Sequence, residues 1–127
     1  MRITVVGAGY VGLVTAACFS EMGNKVICVD VNENKVNRIK KGKMPIHEPG
    51  LAELVKRNLR AGRLSFCCKL IDVLSATDIL FIAVGTPSSP DGNADLSQVY
   101  EVAKAAGRNM VGPLIICLLY TSPSPRD

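Results

Sequence analysis

Hydrophobic positions along the chain fall into short β-branched runs and longer helical patterns, and the two alternate. Ile3 to Val6 is a brief apolar run ending at a glycine, the form of a parallel strand buried on both faces. Gly7-Ala8-Gly9-Tyr10-Val11-Gly12 follows. Apolar residues then continue from Leu13 to Met22 until Gly23 and Asn24 stop them, which predicts a helix starting near Tyr10 with a glycine C-cap. Val26 to Val29 is a second buried-strand run, closed by Asp30. Asn32 is placed to cap a helix carrying Val36 and Ile39 on one side, with a lysine-rich last turn that suits the negative end of the helix dipole and Gly42 as its stop.

A proline-punctuated loop, Met44 to Gly50, precedes Leu51, Leu54, Val55 and Leu59 at helical spacing, and Gly62 closes that helix. Leu64 to Phe66 reads as a third, weaker strand, and Ile71 to Leu74 as a short helix leading to Asp78. Ile79 to Val84 is the clearest strand pattern in the chain, ended by Gly85-Thr86-Pro87. A polar loop covers residues 88–93. Ser97 is then expected to cap a helix with Val99, Val102, Ala103 and Ala106 on its inner face, and Gly112-Pro113 turns into a last apolar run from Leu114. Strands alternating with helices of this length predict right-handed βαβ units: an α/β, Rossmann-like, doubly wound parallel sheet of order 3-2-1-4-5, truncated after about the fifth strand. No internal repeat appears at a period of about 20 to 50 residues.

Composition narrows the class. The 127 residues are 48% hydrophobic and 20% charged with a net charge of +4, the profile of one globular domain. That length rarely holds a nucleotide site, a substrate pocket and a catalytic apparatus together, so it points to a fragment. The basic residues are scattered apart from Lys40, Lys41 and Lys43, which is no nucleic-acid footprint. No apolar stretch approaches the roughly 20 residues of a membrane span, so neither nucleic acid nor membrane is expected as a partner. The amino-terminal apolar run resembles a signal peptide in outline, but the glycines within it favour strand, turn and helix. Five cysteines read as free thiols in a cytosolic setting, with Cys18 and Cys28 as small hydrophobes in apolar segments. Cys67-Cys68 lacks metal spacing and a paired histidine, so no metal site is expected.

The candidate chemistry is nucleotide binding. Gly7 allows a tight turn directly after a strand, Gly9 has no side chain to hold a pyrophosphate away, and Gly12 lets the helix pack closely. The helix starting at Tyr10 and Val11 offers unpaired N–H groups and a positive dipole end. Asp30 lies 23 positions after Gly7 at the end of the second strand, close to the roughly 20-residue spacing of the acid that accepts hydrogen bonds from the adenosine ribose. A carboxylate there repels the 2′-phosphate of NADP, and no arginine immediately follows to receive it, so NAD is favoured; FAD shares the fingerprint. Gly85 and Thr86 sit where backbone and hydroxyl groups can touch the dinucleotide's second half, although the tripeptide with Pro87 is equally an ordinary strand-ending turn. Lys35 reads by default as a solvated first-turn lysine. His47, the single histidine, reads as a loop contact or exposed residue.

These motifs together resemble the UDP-glucose 6-dehydrogenase family, part of the UDP-glucose/GDP-mannose dehydrogenase superfamily, from Met1 to about Ile116. Gly7 to Leu13 is similar to its GxGYVGL, Cys28 to Asn32 to its second-strand end, and Ile46 to Leu51 to its IYEPGL, with His47 replacing tyrosine. Val84 to Pro87 and Ala94 to Ser97 are similar to its VGTP and ADLS. The resemblance implies NAD contacts at Val11, Asp30, Lys35 and Thr86. For a full-length, homo-oligomeric, cytoplasmic parent it implies two-step oxidation of a nucleotide sugar, UDP-glucose, to UDP-glucuronate. Sister enzymes act on UDP-N-acetylmannosamine or GDP-mannose, and a non-catalytic NAD-binding module is a further alternative. The family's catalytic cysteine, lysine and asparagine fall in later segments, so no catalytic residue is assigned here. The segment Cys117 to Asp127 resembles an in-frame translation of a transposon-type sequencing adapter. Residues 1–116 are therefore read as an incomplete NAD-binding domain and 117–127 as a non-native tail.

Overall fold

A computed structural model describes residues 1–85, 90–92 and 95–119. Five parallel strands form one sheet: β1 (Arg2–Val6), β2 (Lys25–Val29), β3 (Leu64–Cys67), β4 (Ile79–Ile82) and β5 (Ile115–Leu118). Their order is β3-β2-β1-β4-β5, so the chain reverses direction across the sheet between β1 and β4, as the alternating pattern predicts. Helices α1 (Tyr10–Glu21), α2 (Glu33–Lys40), α3 (Leu51–Arg60) and α4 (Ser97–Asn109) make every crossover except that from β3 to β4, α2 and α3 sharing the one from β2 to β3.

The register explains the two-layer core. Phe66, Cys28, Val5, Phe81 and Cys117 stand side by side across the five strands. Because strand side chains alternate faces, Phe66, Cys28, Val5 and Phe81 meet α1, α2 and α3 on one side, where Leu13, Ala16, Val36, Ile39 and Val55 are buried. Phe19 of α1 stacks on Phe81 with ring centroids 5.2 Å apart. On the other face Val6, Val29, Leu80 and Ile82 pack against Leu74 and the α4 residues Val99 and Ala106.

Several expected boundaries shift. The helix drawn over Ile71 to Leu74 is a pair of 3₁₀ turns, Leu70–Asp72 and Leu74–Ala76, too short to complete an α-turn between β3 and β4. The β4 ladder ends at Ile82, although the Ala83 N–H still donates to the Val6 carbonyl at 2.8 Å. Ser97 does not cap α4 with its hydroxyl. Leu96 occupies the cap position, and the Asp95 carboxylate accepts the Ser97 N–H at 3.0 Å, a local bond that apolar spacing does not reveal. Ala103 is exposed, because the buried stripe of α4 runs through Val99 and Ala106 alone. Cys18 is exposed on the outer side of α1, whereas Cys28 is buried as expected. Strand β5 also runs past the boundary drawn at Ile116, since Cys117 and Leu118 pair with Phe81 and Ile82; a backbone ladder depends on apolar, extended chain rather than on side-chain identity. Asn32 does cap α2 as expected, its Oδ1 accepting the Lys35 N–H at 3.0 Å.

Candidate functional site

The strand order puts the carboxyl ends of β1 and β4 side by side, and a cleft of about 820 Å³ opens there. Its size is within the range of small-molecule and cofactor sites. One wall is the turn from β1 into α1. The Gly7 N–H donates to the Val29 carbonyl at 2.7 Å, and Gly7 has φ +106°, a conformation that L side chains rarely adopt. A Cβ on Gly7 would also lie 2.6 Å from the Ala83 carbonyl oxygen, so the turn is pressed onto the end of β4. A Cβ on Gly12 would lie 1.7 Å from the Gly7 carbonyl oxygen. The first turn of α1 therefore rests on the backbone of the turn that feeds it.

Gly9 has the opposite surroundings: a Cβ there would meet no heavy atom of the described residues within 4 Å. Gly9 is also the N-cap of α1, which has no side-chain cap bond and no acidic residue in its first turn. The first N–H groups of a helix have no intrahelical acceptor, so this end of α1 presents donors and a positive dipole end to the cleft. Bare backbone, open space and a helix N-terminus are the features a pyrophosphate requires.

The second polar group is built from the end of β2 and the start of α2. Asp30 Oδ2 accepts the Ala8 N–H at 2.8 Å and lies 3.5 Å from Lys35 Nζ, while Oδ1 accepts the Asn32 N–H at 2.9 Å. The carboxylate is largely covered, with a side-chain exposure of 13% against 32% for Lys35, so it is oriented rather than freely solvated. The opposite wall comes from the ends of β4 and α4, with Ala83 to Gly85 facing Gln98, Glu101 and Ala105, and Leu70 and Leu119 complete the rim.

Of the expected site residues, Gly7, Gly9, Tyr10, Val11, Asp30, Lys35 and Gly85 line this one cleft. Gly12, in the first turn of α1, is buried and does not line it; its part is packing. Thr86 and Pro87 lie outside the described residues. His47 is exposed in a separate hollow of about 410 Å³ formed by residues 44–53, away from the cleft. Cys67 Sγ bonds only to the Lys69 backbone among the bonds described for it. No group of three or more His, Cys, Asp or Glu able to hold a metal occurs among the described residues.

Sequence reasoning missed Asn32, Leu70 and the α4 residues. The signal for α4 was present, because the helix after the strand beyond the switch point must face the crevice. Leu70 follows a strand end by three residues with no pattern to mark it. Lys35 also differs from its default reading as a solvated lysine: half-buried, it is paired with Asp30.

The family model for the NAD-binding domain of the UDP-glucose/GDP-mannose dehydrogenase family matches residues 1–124. A UDP-glucose 6-dehydrogenase from Rhizobium meliloti is 48% identical over 124 residues, 97% of this chain and 28% of that protein. Among solved structures, a UDP-glucose dehydrogenase from the hyperthermophilic archaeon Pyrobaculum islandicum aligns with a TM-score of 0.81 at 47% identity, covering 85% of this chain and 25% of the other. A GDP-mannose dehydrogenase from Pseudomonas aeruginosa aligns with a TM-score of 0.86 at 37% identity, covering 93% and 28%. The chain thus spans little more than a quarter of the length of the relatives it matches.

Proposed function

Given that the chain belongs to the UDP-glucose/GDP-mannose dehydrogenase family and carries its NAD-binding domain, we propose that the cleft at the β1–β4 switch point holds NAD for the oxidation of UDP-glucose by the full-length protein. The observation that carries this reading is the open backbone face of Gly9 at the N-terminus of α1, with the Asp30 carboxylate held in the same cleft. In this assignment the pyrophosphate lies over Gly9 and the N–H groups of Tyr10 and Val11. The adenosine ribose hydroxyls donate to Asp30, with Lys35 beside it. The nicotinamide half extends toward Gly85, and a contact from Thr86 is assigned on the family resemblance alone. Bound NAD supplies the hydride acceptor for the alcohol; the residues of this chain bind and orient it.

UDP-glucose is favoured over GDP-mannose by the higher identity to UDP-glucose dehydrogenases, 43% to 49% against 37% to 41%. The chain alone is expected to have no dehydrogenase activity, because the family's nucleophile is assigned to later segments. We assign the parent to the cytoplasm as a homo-oligomer on the family resemblance. Residues 117–127 we assign to a tail of non-family origin, on the Ser/Pro composition of residues 121–127; β5 draws Cys117 and Leu118 into the sheet whatever their origin. Sequencing the source DNA across the junction tests that assignment.

The test of function is NADH formation with UDP-glucose, GDP-mannose and UDP-N-acetylmannosamine by the full-length parent and by residues 1–127. Turnover of UDP-glucose by the parent alone is expected. Turnover by the short chain would refute the division of labour, and a preference of the parent for GDP-mannose would refute the substrate.

A further inference from the structure

Two backbone N–H groups donate to the Asp30 carboxylate, Ala8 to Oδ2 and Asn32 to Oδ1, and Lys35 Nζ makes a third contact, an ion pair with Oδ2 at 3.5 Å. A carboxylate offers about four acceptor positions, so the two hydrogen bonds leave about two for the ribose hydroxyls. Ala8 and Asn32 contribute backbone groups that every sequence supplies. Lys35 is the one side chain among the three, and the one full positive charge.

Its place follows from the fold. The Asn32 cap starts α2 so that Lys35 falls in its first turn, pointing back over the end of β2, while the next residue, Val36, is buried in the core and fixes the helix's rotation. Lys35 Nζ is thereby held near the carboxylate that faces the ribose 2′ and 3′ hydroxyls. A 2′-phosphate would meet two opposed charges at this point, repelled by Asp30 and attracted by Lys35.

We infer that Lys35 is a specificity-determining residue: the preference for NAD over NADP is a balance between Asp30 and Lys35, and neutralising Asp30 turns Lys35 into a receptor for the 2′-phosphate. The inference rests on the dinucleotide reading of the cleft and gives Lys35, which the resemblance marks only as an NAD contact, a part in choosing between NAD and NADP. A carboxylate that merely clashed with a phosphate would leave no lysine-dependent affinity once removed. A paired lysine would, because it loses its counter-charge and remains anchored on α2.

The test uses the full 127-residue chain and its Asp30→Asn, Lys35→Met and double variants, with folding checked by circular dichroism. Ligand-observed NMR titration with NAD and NADP reads both affinities even when they are weak. Titration with 5′-AMP and 2′,5′-ADP restricts the comparison to the adenosine end. Asp30→Asn is expected to shift the NADP-to-NAD affinity ratio toward NADP by about tenfold or more, and adding Lys35→Met to reverse at least about fivefold of that shift, as a charge-assisted contact to phosphate predicts. Lys35→Met alone is expected to weaken NAD by about two- to fivefold, since one tether of a partly exposed pair is lost.

Equal ratios in Asp30→Asn and the double variant would overturn the inference while leaving the dinucleotide reading intact. Absence of NAD binding by the wild-type chain at millimolar ligand would overturn both.

Discussion

Replacing Gly12 by alanine tests the geometry of the β1–α1 turn most severely. The added Cβ would lie 1.7 Å from the Gly7 carbonyl oxygen, 2.9 Å from its carbon and 3.4 Å from Ala83 Cβ. Relieving the first contact requires a separation near 3.2 Å, so α1 or the turn must move by about 1.5 Å, well beyond ordinary side-chain adjustment. The turn cannot yield: Gly7 is bonded to the Val29 carbonyl, and its own missing Cβ faces the Ala83 carbonyl. The helix must lift instead, and it carries Leu13, Ala16 and Ala17, all fully buried against the sheet. Overpacking of this kind costs about 1–3 kcal/mol and occasionally more, and separating the helix from the core adds to it. Alanine recovers about 1 kcal/mol of helix propensity, so overpacking alone leaves a net loss of up to about 2 kcal/mol, to which lifting the helix off the core adds. The matched control is Gly9→Ala. Its Cβ meets no atom of the described residues within 4 Å, and its φ of −79° suits alanine. The poorer N-cap and the stiffer unfolded chain nearly cancel, so stability should stay within about 1 kcal/mol of wild type. Urea unfolding followed by far-ultraviolet circular dichroism measures both, and NAD titration follows. Gly12→Ala should lose stability and binding together, and Gly9→Ala should lose binding alone. A Gly12→Ala chain as stable as wild type, or a Gly9→Ala chain that binds NAD normally, would refute the assignment of packing to one glycine and ligand approach to the other.

Asn58 should be the costliest polar side chain to remove away from the cleft. It is buried, its amide donates to Glu21 Oε2 and the Leu54 carbonyl, and its oxygen accepts from Arg63 Nε, so Asn58→Ala should lower stability by about 2–3 kcal/mol in urea titration. Acid should weaken the fold through two carboxyls. The Asn58 hydrogen bond, and then Arg57, hold Glu21 below its ordinary 4.5, while the Arg2 backbone N–H holds Asp78 below 3.8. Groups depressed in the folded state stabilise it above their unfolded values and lose that effect as pH falls through the folded ones, so the urea midpoint should drop below about pH 4.5 and drop less in Glu21→Gln/Asp78→Asn. Burial, and then the Asp30 charge, push the Cys28 thiol up to about 12. At neutral pH a thiol reagent should therefore modify exposed Cys18 rapidly and Cys28 only on unfolding, which peptide mass mapping resolves; rapid labelling of Cys28 in the native chain would contradict its burial.

The sheet order was legible because each strand run ended at a turn residue and each helical run carried its own stop signal, so connectivity and handedness left few arrangements open. Features controlled by single local bonds were not legible. Apolar spacing pointed to Ser97 as a cap, yet the α4 start is tied by the Asp95 carboxylate, and the same spacing placed exposed Ala103 on the inner face. The exposure of Cys18 was not legible either, because α1 is apolar on nearly every side, which leaves periodicity little power to tell its outer face from its inner one.

The Asp30 site joins the two kinds of information. Counting positions from Gly7 to Asp30 identifies the acid, but the distance that matters is set across the sheet. The β1–β2 register pairs Val6 with Val29, so the residues that leave the two strands, Gly7 with Ala8 and Asp30, stand beside each other at the same level. That is why the Ala8 N–H reaches Asp30 Oδ2 and why Gly7 can donate to the Val29 carbonyl. A slip of one residue would turn every β2 side chain to the opposite face, expelling buried Val26 and Cys28 from the core and replacing Asp30 with a valine beside the turn. Core packing therefore enforces the register, and the register delivers the carboxylate. On this view, a conservative core change such as Cys28→Ser should perturb NAD affinity in proportion to its cost in stability, whereas Asp30→Asn should lower affinity with stability nearly unchanged. Equal loss of stability in both would mean that Asp30 is primarily a structural tie for the turn.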